Sequence, residues 1–398
     1  VTIANTVKFS VSALAVGILS LKVLMASPAH AQGAPALGLP GPAATAAPLD
    51  YREKMRQLVQ AISTYGRSLN PKFVVMVDNG LDLISKVDPE DDSQFFPARA
   101  YMRTIDAVLQ TNLLAAVTPP KTVTPAPRTT AKLPPRQNPR APLENQPHPK
   151  LEIPTQPEDV RIKKEDPVLS ERRNRLIANV QMAKLYGIGI FNLEFATKAK
   201  KIDALYAQSA ARGFVPFVAN SPVLGRIPPY PKAAFRANPT SLSTPAQAKN
   251  HLYVAQSQGF GSAADYVQAM STTNNDIVIT SVFHGRAPLS KLDVERLKYK
   301  NLGARRLVLA EINVASAATY DYFWQPGWGP GSPAYVGAPY RKDPDRYRTL
   351  YWDPAWQSVL LGGTASFVYG VFDLGFDGVI IKGTESWRYF ESGGEDGS

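Results

Sequence analysis

Cysteine is absent from the 398-residue chain. That excludes disulfides, thiolate-held zinc, iron–sulfur clusters and a cysteine nucleophile. Histidine is scarce: His30, His148, His251 and His284 are the four. No two have the spacing of a helical metal site, which argues against a His-rich metalloenzyme. No glycine-rich phosphate loop follows any apolar run, so neither a nucleotide nor any other cofactor is expected. Beyond the first thirty residues no apolar stretch is long enough to span a bilayer. Acids are outnumbered, 33 Asp and Glu against 44 Lys and Arg, which gives a formal charge of +11. Such a balance favours anionic surroundings: phospholipid, nucleic acid or acidic glycans.

Residues 1–31 have the pattern of a secretory signal. Lys8 precedes an apolar run from Phe9 to Leu21, and Ala29-His30-Ala31 is a small-x-small cleavage site. An uncleaved N-terminal anchor is the other reading, but Lys22 interrupts the run. Export to the periplasm or beyond is therefore expected, which disfavours nucleic acid as a partner. Residues 32–48, rich in Ala, Gly and Pro, read as a flexible tether. Residues 118–167 form a second low-complexity stretch, with thirteen prolines between Pro119 and Pro167. Few apolar residues interrupt it, so it reads as a linker or surface loop. Its basic, Pro-rich character also makes it a candidate contact for an anionic cell-envelope surface.

Two blocks remain, 49–117 and 168–398. Their pattern alternates strand with helix. Met55, Leu58, Val59, Ile62 and Tyr65 recur at helical spacing over Tyr51–Arg67, with Asp50 as N-cap. Apolar runs at Phe73–Val77, Ile105–Val108, Ile188–Phe195, Phe214–Ala219, Asp276–Phe283, Arg306–Val314 and Phe376–Ile381 read as buried strands. Helices are expected at Ser170–Tyr186, Ala204–Arg212, Ser290–Tyr299 and Trp356–Tyr369. An eighth strand at Arg348–Trp352 would complete a set of eight. Continuous apolar strands alternating with helices predict parallel strands covered on both faces, and eight of them suggest a (β/α)8 barrel.

Several strings are more specific. Asp276-Ile-Val-Ile, Pro288-Leu-Ser-Lys-Leu-Asp, Arg305-Arg-Leu-Val-Leu-Ala, Tyr320-Asp-Tyr-Phe-Trp, Tyr351-Trp-Asp-Pro-Ala-Trp-Gln and Gly375-Phe-Asp-Gly-Val follow one another between 276 and 391. This series resembles glycoside hydrolase family 114, the endo-α-1,4-polygalactosaminidase-like family. The resemblance implies a (β/α)8 barrel that cuts α-1,4-linked galactosamine-type polysaccharide. Tyr51-Arg-Glu-Lys-Met, Asn70-Pro-Lys-Phe and Asp78-Asn-Gly resemble the stretch that in the family follows Gly-Phe-Asp-Gly. Here they precede it, which suggests a circular permutation of one barrel; a truncated duplication is the alternative.

Glycoside hydrolysis needs two carboxyl groups across the scissile bond. The resemblance implies acids where this chain has Ser281, Ser316, Ala318 and Lys382, and where Thr111-Asn112-Leu113 stands. Glu194, Glu311 and Glu385 are the catalytic candidates that remain. Glu194 and Glu311 form a rebuilt acid/base pair on one reading. On the other, one of them neutralises Lys382 in the barrel mouth. A Schiff-base role for Lys382 lacks a partner acid specific to it. Asp377 at a strand start and Asp353 ahead of a helix read as structural, and Asp82 as a surviving family acid or a helix start. Asn79, Tyr320, Trp324, Trp352, Lys382 and Trp387 are the substrate-binding candidates, since sugar rings stack on flat aromatic faces.

The expected function is thus that of an exported family-114-like barrel. It would bind a polysaccharide or oligosaccharide of the envelope without cleaving it. The alternative is an active endo-glycosidase with relocated carboxylates. Without Lys8 and Lys22 of the signal the chain carries +9, which repels deacetylated polygalactosamine. A neutral, acetylated or acidic glycan suits it better.

Overall fold

The computed structural model describes residues 49–88, 90–91, 94–118 and 167–394. The signal, the tether and residues 119–166 of the Pro-rich stretch lie outside the described residues. From Asp50 onward the chain forms one unit.

Eight strands make one parallel sheet: β1 Val74–Asp78, β2 Ala107–Thr111, β3 Gly189–Phe195, β4 Val215–Ala219, β5 His251–Val254, β6 Ile277–Thr280, β7 Leu307–Asn313 and β8 Gly378–Lys382. Their lateral order is β4-β3-β2-β1-β8-β7-β6-β5. The edge strands β4 and β5 adjoin without a ladder between them, so the sheet is a nearly closed barrel. All residues of β1, β5 and β6 are buried. That is the continuous burial expected of parallel strands with helices outside and packed side chains inside.

The helix Tyr51–Leu69 buries Met55, Leu58, Val59 and Ile62 completely against the core. Each such side chain contributes roughly 1.5–3 kcal/mol of apolar burial. Asp50 caps this helix by accepting from the Glu53 N–H at 2.8 Å. Ser290 and Asp293 form a reciprocal capping box on the helix Lys291–Leu297. Gly378 is where β8 comes closest to β1: a Cβ there would overlap the Val74 backbone.

The first and last described helices meet. Arg52 pairs with Glu391 at 3.0 Å, and Tyr351 donates from its hydroxyl to the Tyr51 carbonyl at 2.8 Å. Among the described residues no helix is long and apolar enough to cross a membrane.

Two expectations need correction. The eighth barrel strand is His251–Val254, not Arg348–Trp352. Arg348 belongs to Asp343–Thr349, which pairs antiparallel with Ser316–Ala318 and Val336–Tyr340 in a small sheet inserted after β7. The helix expected over Trp356–Tyr369 is two helices, Pro354–Leu360 and Phe367–Asp373. The first ends where Leu361 turns to extended backbone, and Gly362 follows at φ 101°.

Candidate functional site

The C-terminal ends of the parallel strands face one way, and there the side chains of alternate residues turn into the barrel. At this level β1 contributes Asp78, β5 Tyr253, β7 Glu311 and β8 Lys382. Lys382 Nζ lies 3.7 Å from Glu311 Oε1 and 4.0 Å from Asp78 Oδ2. The Tyr253 hydroxyl donates to Glu311 Oε2 at 2.7 Å, and the Lys382 ammonium stands 5.6 Å from the centre of the Tyr253 ring. Two carboxyl groups thus face each other with one ammonium between them.

The two acids differ in environment. Asp78 is 9% exposed, and its Oδ1 is buried with no hydrogen-bond partner. Burial pushes its carboxyl up to about 7, against the pull of Lys382 and helped by the negative charges of Glu311 and Glu385. Desolvation wins because the ammonium is at the outer limit of an ion pair and is shared with Glu311. Glu311 is better satisfied, with Tyr253 on one oxygen and Lys382 near the other. Burial and the neighbouring Glu311 raise the Tyr253 phenol well above its ordinary range, so it stays a donor.

Of the predicted acids, Glu311 is at the mouth and Glu194 is not. Leu193 and Phe195 of β3 line the cleft, so Glu194 between them faces the helices. Its Oε1 accepts from the Leu114 N–H at 2.8 Å and from Asn192 Nδ2 at 3.2 Å. Asn192 also donates to Ser209 in the helix Ala199–Ala211, which marks the outer face. Glu194 therefore satisfies the start of the helix Leu113–Val117, and the Glu194–Glu311 acid/base pair, one of the two readings of these acids, does not form. Glu385 lies on the rim, its side chain 45% exposed, 3.8 Å from Arg388. Partial burial raises its carboxyl, with Arg388 opposing.

Lys382 has the ion-paired role, toward Glu311 and additionally toward Asp78. Asn79, in the left-handed conformation at φ 50°, accepts from the Thr111 N–H at 3.0 Å and Gln110 Nε2 at 2.9 Å. It fastens β1 to β2 and lines the cleft. Asp377 precedes β8 at the opposite end of the barrel, where it accepts from Arg305 and the Val308 N–H. Asp353 caps the helix Pro354–Leu360. Asp82, in the short helix Gly80–Leu83, pairs with Arg388.

The aromatic candidates separate in the same way. Trp352 packs between Tyr51, Tyr351 and Phe390 and belongs to the seam between the first and last helices, not to the cleft. Trp387 lines the cleft, but the Arg52 guanidinium lies 4.0 Å from its ring centre. Trp324 stacks on Tyr347 with centroids 5.2 Å apart. Tyr320 is 45% exposed and donates to Asp343 at 2.9 Å.

Among the described residues, clefts of about 1180 and 1100 Å³ flank Lys382 on this face. The first holds Asp78, Tyr253, Tyr340, Trp387 and Tyr389. The second holds Glu311, Tyr320, Tyr322 and Trp324. Pro222, Leu224 and Lys382 line both, so they form one trough across the barrel mouth. Such a trough suits an extended ligand better than a single small ring. Among the described residues no group of three or more His, Cys, Asp or Glu side chains could hold a metal ion.

Asp78 is the member of this cluster that sequence reasoning missed. It stands in an Asp-Asn-Gly turn string, but it also ends an apolar run two residues after Met76, on the inward face.

No protein-family model matches the chain. A protein of Deinococcus radiodurans is 36% identical over 86 residues, 21% of this chain and 26% of the relative. One of Thermotoga maritima is 26% identical over 86 residues, 22% and 25% of the two chains. One of Methanocaldococcus jannaschii is 24% identical over 107 residues, 27% and 29%. All three are uncharacterized, and the chain matches only about a quarter of the length of each.

Proposed function

We propose that this chain is a polysaccharide-binding (β/α)8 barrel of glycoside hydrolase family 114 type, permuted and working outside the cytoplasm, that holds glycan without hydrolysing it. The strings between 276 and 391 support the family, and the leader pattern of residues 1–31 supports export. The observation that carries the reading is Lys382 at the centre of the trough, within 4.0 Å of both facing carboxyls. Hydrolysis needs a bound glycosidic oxygen and, for an inverting enzyme, a water between those two groups. An ammonium held there occupies the space and neutralises the pair, while the aromatic walls remain open to a chain of sugars.

Titration calorimetry with partly acetylated galactosamine, galactan and galacturonan oligomers tests the reading. At least one should bind, and Tyr253→Phe and Trp324→Ala should weaken it. Failure of every oligomer to bind at millimolar concentration would remove the proposal.

A second reading rests on Asp78. Its carboxyl at about 7 suits a general acid, and Glu311, held by Tyr253 and Lys382, suits the carboxylate opposite it. On this reading Lys382 swings aside when substrate binds and the barrel is an active endo-glycosidase. Release of reducing ends that is lost in both Asp78→Asn and Glu311→Gln would favour it.

A further inference from the structure

We infer that the second cleft seats an uncharged sugar ring of the glycan chain on the face of Tyr322. The inference rests on the glycan-binding reading above and names one of its sugar sites and the class of sugar that fits there. Tyr322 lines this cleft and is 47% exposed. Three rings of the same cleft back it. Phe283 lies at a centroid distance of 5.6 Å, tilted by 31°, and Phe323 and Phe367 stand across it at 78° and 69°. A ring held in this way has little freedom left to lose when a ligand arrives, and its open side is a flat apolar face.

The other aromatic side chains of the cleft are committed elsewhere. Tyr347 covers one face of Trp324, stacked at 5.2 Å and 26°, and Trp328 stands across it at 66°. The Tyr320 hydroxyl donates to Asp343 and accepts from Arg346 at 2.6 Å. The Tyr322 hydroxyl has no protein partner among the described residues. Its support is fixed in turn. Phe283 belongs to a hairpin that pairs Phe283–His284 with Ala287–Pro288. His284 pins that hairpin: Nε2 donates to the Gly261 carbonyl at 2.8 Å, and Nδ1 meets the Ser257 hydroxyl at 2.9 Å.

The polar groups beside the rings suit a sugar without charge. Gln256 and Gln258 line the cleft and are exposed, and their amides have no protein partner among the described residues. An amide donates to and accepts from sugar hydroxyls and acetamido groups alike. Most of the charge is already used within the protein. Lys382 lies 3.7 Å from Glu311, Arg346 pairs with Asp343 at 3.2 Å, and Asp321 accepts from the Ala318 N–H at 2.7 Å. Arg286 sits at the exposed hairpin tip. An ammonium on the sugar would meet Lys382, Arg346 and Arg286 on one cleft wall and gain no free carboxylate in return.

Titration of the full chain with tetramers of galactose, N-acetylgalactosamine, galactosamine and galacturonate tests this. At least one uncharged tetramer should bind ~10-fold tighter than galactosamine tetramer, and its affinity should change less than ~2-fold between 50 and 500 mM salt. Tyr322→Leu, which keeps apolar area and loses the flat face, should weaken it ~10-fold, and Tyr322→Phe, which keeps the face, at most ~3-fold. Both variants should melt with the wild type, since the residue is half-exposed. Saturation transfer in the wild type should run from aromatic protons to the sugar C–H protons, a readout that no change of stability touches. Unchanged affinity in Tyr322→Leu, no aromatic transfer, or tightest binding of a charged tetramer would overturn the inference and leave the glycan-binding reading standing. Binding of none of the four would overturn both.

Discussion

Asp78→Asn should stabilise the protein by an amount that depends on pH. In the fold this carboxyl is held at about 7, against an ordinary value of 3.8. Between those values the folded chain keeps a proton that the unfolded chain has released. The stability contributed by the protonated group is therefore fully present below about pH 4 and is lost as the pH rises through about 7. One pKa unit corresponds to about 1.4 kcal/mol, so the whole loss is on the order of 4 kcal/mol. The Asp78→Asn chain has no such titration. Its advantage over the wild type should grow by up to about 1.4 kcal/mol per pH unit from about pH 4.5 and level off above pH 8. His251 is buried and its value is lowered to about 3, which gives an opposite slope in the acid range. It is present in both chains, so it cancels from the difference. Urea unfolding of both chains at five pH values from 5 to 9 measures the effect. A difference independent of pH would refute the reasoning, because it would mean that the pull of Lys382 outweighs burial and keeps Asp78 ionised throughout.

Glu194→Ala should cost about 1–3 kcal/mol in stability, because the buried Leu114 N–H loses its acceptor, and should leave glycan affinity unchanged. A loss of affinity at unchanged stability would return Glu194 to the site. Lys300 and Asp276 form a fully buried pair at 2.6 Å. Lys300→Met should therefore destabilise by roughly 3–5 kcal/mol in chemical denaturation, and adding Asp276→Asn should recover part of it. His251→Phe should lower the acid-unfolding midpoint followed by circular dichroism. The stability that the neutral ring supplies above pH 6.5 is lost as the pH falls through about 3; an unmoved midpoint would show that His251 is not buried neutral. Gly378→Ala should cost ~3 kcal/mol or more, because its Cβ meets the Val74 backbone and forces β1 and β8 apart. Wild-type stability would contradict the close approach.

The barrel was legible where burial is continuous. Val74–Val77, Ile277–Ile279 and Val379–Ile381 are apolar runs because both faces of those strands are covered. His251–Val254 escaped because it is four residues long and opens on a polar residue. Its imidazole is accepted inside the barrel only as a neutral ring against Phe191 and Phe217. Arg348–Trp352 looked like a strand because Tyr351 and Trp352 favour extended backbone, yet the chain turns there after Thr349. Lys382 and Glu311 were readable as a pair from their places near strand ends. Glu194 was misassigned by one step of alternation: its neighbours Leu193 and Phe195 face inward, so it cannot. The same alternation would have found Asp78 from Met76. The partition of the aromatics between cleft and helix seam depends on how the excursion after β7 folds back, which no local pattern encodes.

Reducing-end release is the most direct test of the central claim. The wild-type chain, Asp78→Asn, Glu311→Gln and Lys382→Ala would be incubated with each oligomer that binds in calorimetry. The account predicts retained binding and no release from the wild type, Asp78→Asn or Glu311→Gln, so that any release would be confined to Lys382→Ala, where the blocking ammonium is gone. Turnover by the wild type that disappears in Asp78→Asn and in Glu311→Gln would contradict it and show that Lys382 moves aside for chemistry.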